Sequence, residues 1–260
     1  MNSSTSTPSP VWPTRWPKNS FSALPTVGFL AYLFVLGLVI IAVGVVYFFA
    51  RYSSETGGQS PPIVPAIIFQ LVLEGAIVIS ILLALPWLSK FTWSELGLRF
   101  PTPANIGFAL LGTLAMVIVV EGGASLIETL MRTKHEQQVV QIFQQLRGSG
   151  STMWFFAIFA VVLAPFMEES IFRLFLFNIG LRYGGFWLGA AVSGVLFGLA
   201  HMEAATAVSF VSTSVPLMFG GLILAYVYYR TRNAFASMIT HGTFNLITVL
   251  AIIFFPQLAK

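Results

Sequence analysis

Two adjacent glutamates, Glu168 and Glu169, an arginine, Arg173, two histidines, His201 and His241, and an asparagine, Asn245, lie within or at the ends of stretches that are otherwise apolar. A charge at the centre of a bilayer costs from ~2.5 kcal/mol upward, so ionisable groups in such stretches are read first as a functional site. Their spacing says which of them meet. Glu169 and Arg173 are four residues apart with the acid on the N-terminal side, so on a helix they share a face and can neutralise each other. Glu168 has Phe172 at that offset, which leaves its carboxylate free to take a proton or a water. Phe197 and His201 are also four apart, as are His241 and Asn245. Three segments therefore each present one polar stripe: a carboxylate, an imidazole, and an imidazole with an amide. Brought together, they would form a small wet site suited to general acid–base chemistry.

The elements that must position these groups are dictated by composition. Only 8% of the 260 residues are charged, 57% are apolar and the mean hydropathy is +0.85, against roughly 25% charged in a soluble domain. All nine acidic residues are Glu, so any mechanism that needs Asp is excluded, and the absence of Cys removes disulfides, thiolate metal sites and Cys nucleophiles. A transmembrane helix needs about 20 mostly apolar residues. Seven stretches qualify: about Val27 to Ala50, Pro62 to Leu88, Pro103 to Leu130, Thr152 to Ile179, Phe186 to His201, Ala204 to Tyr229 and Asn233 to Phe255. The expected fold class is all-α, a polytopic integral membrane bundle of about seven transmembrane helices, with eight as the upper count.

Four regions follow. Residues 1–26, rich in Ser, Thr and Pro with Trp12 and Trp16 beside Arg15 and Lys18, are expected to be a disordered tail touching headgroups. Residues 27–130 hold the N-terminal transmembrane helices, 131–150 an interfacial amphipathic segment, and 151–256 the core that carries the polar stripes. No signal peptide is expected, because the first apolar run is too long for one. There is no internal repeat. With the N-terminus inside, Arg15, Lys18, Lys90, Arg99, Arg182, Arg230 and Arg232 fall on the cytoplasmic side, against Arg51, Arg132, Lys134, Arg147 and Lys260 outside. That bias favours a cytoplasmic N-terminus. Scattered singly, these cations do not make a nucleic-acid surface; the expected partners are the lipid bilayer and a membrane-associated substrate.

The pattern E-E-x-x-x-R, then F-x-x-x-H, then H-x-x-x-N resembles the three motifs of the CAAX prenyl protease and bacteriocin-processing family of intramembrane proteases. Here they read Glu168-Glu169-Ser170-Ile171-Phe172-Arg173, Phe197-Gly198-Leu199-Ala200-His201 and His241-Gly242-Thr243-Phe244-Asn245. Ala164-Pro165 before the acid pair, and Glu95-Leu96-Gly97-Leu98-Arg99 before the third span, add to the resemblance. Leu174 departs from it, since many bacterial members carry Gly after the Arg.

The resemblance implies an endopeptidase of membrane-associated peptides or protein C-termini, with Glu168, His201, His241 and Asn245 catalytic and with Glu169, Arg173 and Phe197 supporting them. In one version Glu168 is the general base toward a water shared with His201, while His241 and Asn245 donate to the oxyanion. In another, Glu168, His201 and His241 ligate a divalent metal such as zinc. The residue types satisfy both. A multi-pass protein of a bacterial plasma membrane is the expected setting. The rival readings are a transporter or proton relay built on the same three titratable groups, and a catalytically silent scaffold or immunity relative. A serine protease built on Ser193 would leave the glutamate pair unexplained. His135-Glu136 begins like a zinc-protease helix, but Val139 stands where the second His is required. Glu74, Glu121 and Glu128 match no motif and are assigned to packing contacts, interfaces or a neutral buried state. Trp87, Trp154, Trp187, Tyr228 and Tyr229 are read as interface anchors, and Gly220-Gly221 as a place for close helix contact.

Overall fold

The computed structural model describes residues 16–17, 19–52, 63–132, 138–202 and 207–255. The His135-Glu136 near-motif lies outside them. Long apolar runs with no water to satisfy their backbone must form helices, and among the described residues there are helices and no strands. They are α1 (Ala23–Tyr52), α2 (Ile63–Ser89), α3 (Pro103–Met131), α4 (Gln138–Gln145), α5 (Ser151–Ala200), α6 (Phe210–Thr231) and α7 (Ala234–Phe254). Six of them, all but α4, are long and apolar enough to cross a membrane.

The fourth and fifth expected spans are the two arms of α5, separate helices joined by a non-helical turn at Gly184–Gly185. Gly185 has φ +71°, a conformation that a Cβ disfavours. Counting the two arms of α5 separately gives the expected seven crossings. The arms pack tightly enough that a Cβ on Gly180 would lie 2.6 Å from Gly189 Cα. The second arm crosses α6 at Gly194 and Gly221, where a Cβ on Gly221 would come within 2.7 Å of Gly194 Cα. The glycine pair read as a close-contact site thus serves a contact within the chain.

Four segments expected on one side of the membrane are tied to each other. Phe21 N–H donates to Leu88 O at 2.6 Å, Tyr183 OH donates to Phe21 O, Tyr228 OH to Leu96 O at 2.7 Å, and Ala234 N–H to Gly97 O at 2.9 Å. These bonds join residues just before α1 to the α2–α3 loop, the α5 turn and the α6–α7 turn, which is the alternation seven crossings require. Phe21, inside the stretch expected as a tail, is fully buried with Leu85, Leu88 and Phe91, because its ring gains more from that core than from headgroups.

The α2–α3 loop sets where α7 begins. Thr92 and Glu95 form a reciprocal cap: Thr92 N–H and Oγ1 donate to Glu95 Oε2 at 2.8 and 2.7 Å. These bonds, the backbone one foremost, hold the Glu95 carboxyl below its ordinary pKa. Gly97 has φ +92°, and a Cβ there would meet Arg232 O at 2.8 Å. Asn233 caps α7 by accepting from Ala236 N–H at 3.1 Å and donates to Arg99 O at 2.8 Å. Tyr228, also a donor to Leu96 and an acceptor from Asn178 Nδ2 at 2.9 Å, is fully buried and not an interface anchor. Tyr228→Phe leaves Leu96 O without its hydroxyl donor in a dry core, while Asn178 Nδ2 keeps Arg173 O and Leu174 O, so it should cost about 1–3 kcal/mol; thermal unfolding in detergent would check this, and an unchanged midpoint would contradict it.

Candidate active site

Glu168 and Glu169 lie on the first arm of α5, just before a π-helical stretch, Ser170–Phe177. His201 caps the end of the second arm. His241 and Asn245 lie on α7. The structure brings Glu168 and both histidines together: His201 Nε2 is 3.5 Å and His241 Nε2 is 4.0 Å from Glu168 Oε2. That carboxylate oxygen is buried and has no hydrogen-bond partner among the described residues.

The other ring nitrogens are held away from the centre. His201 Nδ1 is 2.8 Å from Phe197 O, and His241 Nδ1 is 3.1 Å from Glu169 Oε1. Both acceptors require a proton on Nδ1, so the tautomer is set by the partner, and each Nε2 is aimed at Glu168. Three groups that all accept hydrogen bonds therefore converge. Such a triad is stable only with a proton, a water's hydrogens or a cation between its members.

Glu169 does more than the sequence spacing suggested. It is the hub of a dry network in which Arg173 Nη1 is 3.0 Å from its Oε1, His241 shares that oxygen, and Ser237 Oγ donates to its Oε2. Glu169 and Arg173 are both fully buried. Arg173 also donates to Gly221 O at 3.2 Å and lies 4.7 Å from the centre of the Phe197 ring, a cation–π contact. Phe197 in turn lies tilted against His201 at 4.7 Å and meets His241 edge-on at 5.4 Å. Glu168 and Glu169 with Arg173 carry one net negative charge; one proton shared between Glu168 and His241 makes the buried cluster neutral.

Exposure rises outward from this hub: 0% at Glu169, 5% at His241, 17% at Glu168 and 33% at His201. The gradient leads into a cavity of ≈ 190 Å³ lined by Glu168, His201, His241 and Asn245, with Ser212 and Thr213 of α6 and Phe244 of α7. Asn245 donates to Ala160 O at 2.8 Å, which engages its amide nitrogen on the cavity wall and leaves a second N–H. Two carboxylates outside the motifs belong to this region as well. Glu74 of α2 interacts electrostatically with His201 and Glu168. Glu121 of α3 lines the cavity itself. Neither has a spacing signal, because each meets the site from a different helix.

Donor chemistry fits a divalent metal in one respect and not in another. Two Nε2 atoms with their Nδ1–H groups held by a carboxylate and a carbonyl are arranged as metal-binding histidines commonly are. Ligands about 2.0–2.1 Å from a tetrahedral zinc lie roughly 3.4 Å apart, close to the 3.5 Å edge but shorter than the 4.0 Å one. Among the described residues no group of three His, Cys, Asp or Glu is close enough to hold a metal as it stands.

A bundle of membrane-crossing helices with a carboxylate–imidazole centre sunk among them defines a multi-pass integral membrane protein with a hydrolase-like site. Residues 150–247, which contain all three motifs, match the family model described as Rce1-like, type II CAAX prenyl endopeptidase. Over 219 residues, 82% of each chain, the protein is 25% identical to the membrane-embedded CAAX protease MroQ of Staphylococcus aureus (strain USA300). No solved structure matches. Through this segment the chain is similar to the CAAX prenyl protease and bacteriocin-processing family of membrane-embedded proteases.

Proposed function

We propose that the protein is an intramembrane endopeptidase of a bacterial plasma membrane, which hydrolyses membrane-associated peptides or protein C-termini with a water activated by Glu168. The observation that carries this reading is the convergence of His201 Nε2 and His241 Nε2 on an unpartnered Glu168 oxygen at the wall of a cavity. A water there gives one hydrogen to Glu168 and the other to His201 Nε2. Glu168 takes the first proton as the water oxygen adds to the scissile carbonyl. The oxyanion receives hydrogen bonds from the remaining Asn245 N–H and from His241 Nε2–H, when the shared proton resides on His241. Glu168 then returns its proton to the departing amine, so the peptide bond and one water become a carboxylic acid and an amine, between which the acid proton then passes to give carboxylate and ammonium. Glu169 keeps His241 turned to the cavity, and Arg173 keeps Glu169 ionised and still.

Glu168, His201 and His241 are also the residues that would hold a divalent metal, which would supply Lewis acidity to the same water. One experiment addresses both. The full chain in proteoliposomes is given membrane-anchored peptides, prenylated and unprenylated, before and after exhaustive chelation, and products are read by mass spectrometry. Cleavage at internal bonds supports the reading; no cleavage of any peptide, or vectorial proton or cation flux instead, contradicts it. Activity that survives chelation removes the metal from the account, and activity lost and then regained on adding zinc installs it.

A further inference from the structure

We infer that Glu121 is a specificity residue: it binds a cationic side chain of the substrate, Lys or Arg, about three residues from the scissile bond. The inference rests on the proteolytic reading above. Glu121 lies on the same cavity wall as Glu168, His201 and Asn245, and its side chain is exposed. It closes a π-helical turn, Val117–Glu121; such a turn inserts an extra residue and so changes which face of a helix its end presents. Among the described residues its one hydrogen-bond contact is a long one, Thr248 Oγ1 at 3.5 Å, and no Lys, Arg or His pairs with it. A carboxylate in a transmembrane helix with no cation of its own is costly. A cavity that admits a peptide offers a compensating partner from outside the chain.

Position supplies the register. His241, Asn245 and Thr248 fall on one face of α7, at offsets of four and seven. Thr248 therefore lies about 10 Å along the helix from His241, at 1.5 Å per residue. An extended peptide covers that distance in roughly three residues, at about 3.3–3.6 Å each. A peptide whose carbonyl meets His241 and Asn245 thus carries a side chain past Glu121 about three positions away. The aliphatic neighbours Val120 and Val249 suit the methylene stem of Lys or Arg, which packs on apolar surface while its head reaches the carboxylate.

The test uses the full chain in proteoliposomes and a cleaved, N-terminally blocked, lipid-anchored peptide. Lys, norleucine or Glu is placed singly at each of several positions on both sides of the cleaved bond. Wild type should favour Lys over norleucine about tenfold in kcat/KM, on the order of 1.4 kcal/mol, at one position about three residues from that bond. Glu121→Gln should bring the ratio near unity, and Glu121→Lys should invert it toward Glu. A Lys-to-norleucine ratio that is unchanged in Glu121→Gln overturns the inference, as does uniform tolerance of all three residues by wild type. A variant that is merely misfolded lowers both rates alike and leaves the ratio intact, so it counts on the same side. If wild type cleaves no peptide at all, it is the proteolytic reading that fails.

Discussion

Glu168→Gln should reduce peptide cleavage by at least about 10³-fold while leaving the fold intact. A positioned general base contributes roughly 10²–10⁴-fold, and here the carboxylate is also the group on which both imidazoles converge, at 3.5 and 4.0 Å. Glutamine keeps the volume and the polarity of the side chain but cannot take a proton from water. Stability should not suffer, because Glu168 Oε2 has no hydrogen-bond partner to lose. Initial rates in proteoliposomes and the thermal unfolding midpoint in detergent separate the two effects. Cleavage at even a tenth of the wild-type rate would mean that another group activates the water.

Arg173→Ala should act in the opposite way, on the fold before the chemistry. It removes the ion pair with Glu169 at 3.0 Å, the bond to Gly221 O and the contact with the Phe197 ring. A buried carboxylate is then left without its cation, a change that typically costs about 3–5 kcal/mol. Much of the protein should aggregate, and the remainder should unfold well below wild type. The double variant Glu169→Gln with Arg173→Met removes both charges at similar volume and should recover most of the lost stability. It should not recover activity, because His241 Nδ1 then faces a neutral amide instead of the carboxylate now 3.1 Å away. Unfolding of Arg173→Ala at the wild-type temperature would contradict this account.

The centre was legible in the sequence because polar groups in apolar spans are few, and their spacing sorts them by helix face. Glu168, singled out as the carboxylate without a same-face cation, is the one that both imidazoles approach. The spans were legible from hydropathy alone, and the cationic segments expected on one side are those tied together by Phe21, Tyr183, Tyr228 and Gly97. Spacing along one helix reports only partners on that helix. Glu169 was paired with Arg173, but its bonds to His241 and Ser237 cross from α5 to α7. A signal for Ser237 existed, since it lies four residues before His241 on the same stripe. For Tyr228, amphipathic character alone does not tell a headgroup at an interface from a buried pair of partners in Leu96 and Asn178. Glu121 and Glu74 reach the site across helices and match no repeat or motif, so only the packed bundle places them there.

The most direct test of the central claim, that Glu168, His201, His241 and Asn245 act as one site on one water, is the set of cleavage rates for Glu168→Gln, His201→Gln, His241→Gln, Asn245→Ala and their fourfold combination. Residues that act as a unit are grossly non-additive when removed. The account predicts that the fourfold variant is no slower than Glu168→Gln alone, with all five proteins folded. Losses that multiply from variant to variant, or a Glu168→Gln protein that still cleaves, would contradict it.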